Sequence, residues 1–132
     1  MKVGVIGGSA LEKLFADEVK RRKVLTKYGA VGISCFDLGG TKVFFLPRHG
    51  PKHEHPPHRV NYRANVLALR TLGVERIIAT NAVGSLREEI KPGTLVVPHQ
   101  LVDLTKTRYY TFFDDRTMHV DFTEPFCREV RN

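Results

Sequence analysis

The residues best suited to chemistry crowd the stretch from Leu46 to Asn65, where Arg48, His49, His53, His55, His58 and Arg59 stand among Gly50, Pro51 and Pro56-Pro57. Prolines at that density forbid a continuous helix, so these polar groups must be displayed from a shaped loop. The loop leaves a strand-like run, Thr41 to Leu46, and enters an amphipathic helix-like run, Asn61 to Leu72. Loops at strand ends are where α/β proteins place ligand chemistry. Two more small-residue loops sit in the same context: Gly7-Gly8-Ser9 after Val3-Gly4-Val5-Ile6, and Thr80-Asn81-Ala82-Val83-Gly84-Ser85 after Glu75 to Ala79.

If those three strands are neighbours, one small oxyanion would meet the Ser9 hydroxyl, the Arg48 guanidinium, the His49 imidazole and backbone amides around Asn81 and Ala82. By composition that is a phosphate site. The planar fork of Arg48 can give two parallel hydrogen bonds to phosphate oxygens, which a lysine cannot. Other chemistries fit less well. His49, His53, His55 and His58 follow no recurring zinc spacing and no cysteine assists them, so no metal site is expected. Gly7-Gly8-Ser9 lacks the Gly-x-Ser-x-Gly elbow of a serine nucleophile, and the spacing of Gly4, Gly7 and Gly8 does not complete a dinucleotide fingerprint. An ordinary strand-exit turn is the plain alternative for Ser9.

Several elements must position these loops. The sequence predicts a helix over Leu11 to Val19 and a hairpin of Val31 to Leu38 with Thr41 to Leu46 about Gly39-Gly40. A helix opens at Asn61 and stops at Gly73, and strands follow at Glu75 to Ala79 and Thr94 to Val97. Ser85 and Glu88 have capping-box spacing, but Pro92-Gly93 limits any helix there to about two turns. Thr105 to Phe113 mixes Lys106 and Arg108 with Tyr109, Tyr110, Phe112 and Phe113, which reads as a loop pinned by aromatics or as a patch meeting another subunit. After the Glu124-Pro125 break a helix begins.

The 132 residues, 42% hydrophobic, suffice for one core and are short for two domains. Lys and Arg exceed Asp and Glu by 21 to 14, a net +7 that suits an anionic partner. The excess is dispersed. The tract Lys20-Arg21-Arg22-Lys23 lacks the interleaved aromatics of a base-stacking surface, so no nucleic acid is expected, although a non-catalytic anion-binding or nucleic-acid-binding module stays open as a second class. Cys35 and Cys127 have no short-spacing partner, there is no secretory h-region, and no apolar run could span a bilayer. The expectation is a cytoplasmic protein with reduced thiols and no membrane partner.

Five ordered blocks carry a resemblance: Gly7-Gly8-Ser9, Pro47-Arg48-His49-Gly50, Val60-Asn61-Tyr62-Arg63-Ala64-Asn65, Thr80 to Arg87, and Glu124-Pro125-Phe126-Cys127. Together they resemble the 5'-methylthioadenosine phosphorylase branch of the purine nucleoside phosphorylase family. That resemblance implies an α/β fold with a central mixed β-sheet flanked by helices. It also implies a pentosyltransferase that cleaves S-methyl-5'-thioadenosine with phosphate, giving adenine and 5-methylthioribose 1-phosphate in purine and methionine salvage. S-methyl-5'-thioinosine or a 6-oxopurine nucleoside is the rival substrate. Carried over by position, Ser9, Arg48, His49, Asn81 and Ala82 would contact phosphate. His119 would be lent across a trimer interface towards the 5' substituent, and His53 would lie near the phosphate loop. The implied assembly is a homotrimer or a hexamer, with phosphate as co-substrate and no cofactor. Tyr109 to Phe113 could wall a methylthio pocket. Family members run to about twice this length, and the methionine-glutamate segment under the ribose and the aspartate at the purine have no counterpart here. Residues 1–132 are therefore expected to be the N-terminal portion of a single nucleoside phosphorylase domain, binding phosphate without turnover by themselves.

Overall fold

The computed structural model describes residues 1–8, 11 and 19–132. They divide into two compact units, Met1–Asn81 and Ala82–Asn132. The first is built on a mixed five-stranded sheet of β1 (Lys2–Gly7), β2 (Lys20–Thr26), β3 (Gly29–Leu38), β4 (Thr41–Pro47) and β5 (Arg76–Ala79), in the order β2-β3-β4-β1-β5. β2, β3 and β4 form an antiparallel meander, whereas β4, β1 and β5 run parallel. The hairpin expected about Gly39-Gly40 is present. Both glycines take positive φ, 53° and 77°, the primed-turn geometry whose twist matches the flanking strands.

β4 is apolar on both faces because it is covered on both. Phe44 and Leu46 point to one side, where they join Val31, Ile33, Cys35, Ala64, Ala68 and Leu69. Val43 and Phe45 point to the other, with Phe36, Val5, Leu11 and Val19. Each fully buried side chain of this size contributes about 1.5–3 kcal/mol relative to exposure. The first face is closed by helix α1 (Tyr62–Thr71), which follows a short 3-10 turn at Pro57–Arg59. α1 approaches so closely that a Cβ on Gly4 of β1 would lie 3.1 Å from Leu69 and Val74. Its ends agree with the sequence. Asn61 caps the N-terminus by accepting from the Ala64 amide at 3.1 Å. At the other end the Gly73 amide donates to Arg70 O and the Val74 amide to Leu69 O, the Schellman pattern.

β2 was not anticipated from the sequence, although Lys20 to Lys23 are exposed along it. The cationic run is an edge strand paired with β3, Lys20 opposite Cys35 and Val24 opposite Val31. The predicted helix over 11–19 lies, apart from its end residues, outside the described residues.

In the second unit the expected strand at Thr94 to Val97 does not form: Leu95, Val96 and Val97 are exposed, 97%, 59% and 67%. β-branched residues make a strand only where another edge takes up their main-chain hydrogen bonds. Nor does a helix follow Ser85. Its hydroxyl binds Arg87 instead, accepting from the amide at 3.0 Å and donating to the carbonyl at 2.9 Å, a local turn that competes with helix formation. Lys91-Pro92-Gly93-Thr94 closes a turn through Thr94 N to Lys91 O, and α2 (Arg128–Arg131) ends the chain as expected. Among the described residues no helix is long and apolar enough to cross a membrane.

Candidate functional site

Parallel pairing of β1 with both β4 and β5 puts three strand exits at one edge of the sheet, Gly7 beside Pro47 and Ile6 beside Ala79. The main chain stays in register one step further. Arg48 N donates to Gly7 O and Thr80 N to Ile6 O, both at 2.9 Å. At this convergence Gly7 is tightly enclosed, for a Cβ there would lie 3.1 Å from the Phe45 ring and 3.2 Å from the Thr80 hydroxyl. Arg48 crosses from one exit to another, its Nη1 donating to Thr80 O at 2.8 Å. Asn81 follows at once, exposed, as the last residue of the first unit.

The loop after β4 is fastened by its own hydrogen bonds. Gly50 N donates to Pro47 O and His53 N to Gly50 O, each at 3.0 Å, and His55 N donates to His49 O at 2.8 Å. The His49 ring is held at both nitrogens. Nδ1 faces His55 O at 2.8 Å, and Nε2 receives the Arg48 Nε–H at 3.3 Å. His53 lies against it, ring centroids 4.7 Å apart, on a backbone with φ 56°, an uncommon conformation for a residue with a side chain. Glu54 in the same loop is an exposed carboxylate. Its own amide chiefly, with the Lys52 amide and the charges of His55 and Lys52, holds its carboxyl below the ordinary value. No three His, Cys, Asp or Glu side chains among the described residues gather as a metal-ligand set.

Of the residues singled out from sequence, Arg48, His49 and His53 therefore share one loop, and Arg48 reaches the main chain beside Asn81. Ser9 lies outside the described residues. Ala82 opens the second unit, where His119 is exposed. The carbonyls of Thr80 and His55, which fix Arg48 and His49, were not anticipated; a carbonyl carries no side-chain signature, and only the adjacency of Thr80 to Asn81 hinted at one of them. The second unit has an open surface recess of about 590 Å³ bordered by Asp103, Thr105, Lys106, Tyr110 and Phe122, all of them exposed. From the aromatic run, Tyr110 borders it but is itself 86% exposed, and Tyr109 and Phe112 are exposed at 75% and 39%.

The chain is similar to known proteins along almost its whole length. An S-methyl-5'-thioadenosine phosphorylase of Thermofilum pendens is 50% identical over 135 residues, covering 99% of this chain and 52% of the relative. A probable S-methyl-5'-thioinosine phosphorylase of Methanothermobacter thermautotrophicus is 50% identical over 133 residues, covering 98% and 48%. The crystal structure of a methylthioadenosine phosphorylase from an antarctic soil metagenomic library superposes with a TM-score of 0.92 at 44% identity, covering 98% of this chain and 46% of that one. The chain thus spans about half the length of the relatives it matches. With the model of the Phosphorylase superfamily matched over residues 2–132, the chain belongs to the phosphorylase superfamily.

Proposed function

We propose that this chain carries the phosphate-binding elements of a purine nucleoside phosphorylase, with S-methyl-5'-thioadenosine as the nucleoside and adenine and 5-methylthioribose 1-phosphate as products. The observation that supports it most is the Arg48 side chain anchored on Thr80 O where three parallel strands end together. Phosphate would sit on Arg48 and His49, the loop amides at Asn81 and Ala82 and the Ser9 hydroxyl, with His53 near the phosphate loop. As the purine departs, the ribosyl carbon gains positive charge. A phosphate fixed beneath it is already in attacking position and offers negative charge to that cation. Arg48 does no covalent work. Phosphate is a co-substrate, no cofactor is called for, and both units would be parts of one enzyme domain acting in the cytoplasm. His119 would serve a neighbouring subunit of a homotrimer or a hexamer.

The test is phosphate binding by this chain, followed by calorimetry or ³¹P spectra. Arg48→Ala should weaken it at least roughly tenfold, since a hydrogen bond to a charged group is worth about 1.5–3 kcal/mol. Unchanged affinity would remove the proposal. Substrate choice is read separately, in a chain of the relatives' length that carries these residues. Adenine should leave methylthioadenosine only when phosphate is present, and release without phosphate would indicate a hydrolase. The equally similar thioinosine phosphorylase supports a second reading, in which methylthioinosine is turned over faster than methylthioadenosine.

A further inference from the structure

The His49 ring has its protons dictated by its partners. A carbonyl oxygen can only accept, so the Nδ1 that faces His55 O at 2.8 Å must carry hydrogen. An arginine Nε–H can only donate, so the Nε2 that it approaches at 3.3 Å must be bare. Both contacts are satisfied together by one species alone, the neutral Nδ1–H tautomer. An imidazolium would set a second N–H against that of Arg48, with a like charge behind it. Around the ring stand Arg48 at Nε2, the His53 ring at 4.7 Å and, further along the loop, the Glu54 carboxylate, which accepts from the Lys52 amide.

We propose that the His49 ring is a positioning group: it serves the anion site by accepting from Arg48 Nε–H and so fixing the guanidinium, and the ring itself makes no contact with phosphate. With Nε on His49 and one Nη1 hydrogen on Thr80 O, the guanidinium plane is held at two points, and among the described residues Nη2 is left to the ligand. Fixing a fork before the oxyanion arrives removes the ordering cost that a loose arginine would meet on binding. The inference deepens the phosphorylase reading and rests on it for the identity of the anion, but not for the hydrogen bond.

Imidazole ¹⁵N spectra of the phosphate-free chain at neutral pH should show His49 protonated at Nδ1 and bare at Nε2. An Nε2–H tautomer or an imidazolium overturns the proposal. Phosphate titrations then separate support from contact. His49→Gln, whose amide oxygen reaches the Nε2 position, should keep affinity within roughly threefold, and His49→Asn, which reaches only the Nδ1 position, should lose roughly tenfold. In an Arg48→Lys background there is no Nε–H to hold, so His49→Asn should add nothing further. A full further loss there would mean direct contact and would sink the idea. Should the unaltered chain bind no phosphate at all, the phosphorylase reading falls, while the tautomer still decides what His49 does to Arg48.

Discussion

Asn61 shows how one side chain can join two parts of a fold. Its Oδ1 caps α1 at Ala64 N, and its Nδ2 donates to Tyr28 O at 2.7 Å, tying the helix to the turn between β2 and β3. The Arg63 guanidinium of the same helix lies over the Tyr28 ring at 4.4 Å. Asn61→Ala removes the cap and the tie together and should cost about 1–3 kcal/mol in urea unfolding. Asn61→Asp keeps the acceptor, loses the donor and should cost less. The cap was legible in the sequence because Asn before an apolar-periodic run is a helix start. The tie to Tyr28 was not, for it spans 33 positions and ends on a main-chain carbonyl. Arg48 divides the same way: its residue type announced an anion site, whereas its anchor on Thr80 O depended on which strands became neighbours.

At the scale of elements, periodic apolar runs were legible wherever the chain itself buries them. β1, the β3-β4 hairpin, α1 and β5 all stand where alternation or helical spacing placed them. β2 was hidden because Lys20-Arg21-Arg22-Lys23 has no polarity alternation to read. As an edge strand it has little need of one, and its charges deter pairing with another chain. In the second unit, short polar brackets stand in place of regular elements ahead of α2. Asp103 Oδ1 accepts from Thr105 N and Oγ1 at 2.9 and 2.7 Å, and Asp121 Oδ1 accepts from Thr123 N and Oγ1 at 2.9 and 2.6 Å. The threonine hydroxyl first, then its amide, holds each carboxyl below the ordinary aspartate value. A depressed folded value means the bracket contributes fully above the unfolded pKa and loses its contribution as pH falls through the folded one. Carboxyl ¹³C titrations should therefore place both midpoints low, and Thr105→Val and Thr123→Val should each return its own partner towards the ordinary value.

Across the whole molecule, order is unevenly distributed. The unit Met1–Asn81 holds all five strands and α1, while from Ala82 to Cys127 the described backbone has turns and bends only. Amide exchange follows hydrogen bonding and burial, so β3, β4 and α1 should exchange slowly and residues 82–127 within the dead time of a manual experiment. Slow exchange over 94–97 would show that the strand expected there forms after all. The Arg48 grip on Thr80 O carries one more implication. β5 is an outermost strand of only four residues, and the chain leaving it is latched by a side chain belonging to the far side of β1. Peeling that strand away would unhook the arginine, so anything that occupies the arginine also clamps the border of the sheet, and a frayed border would make a poor receptor.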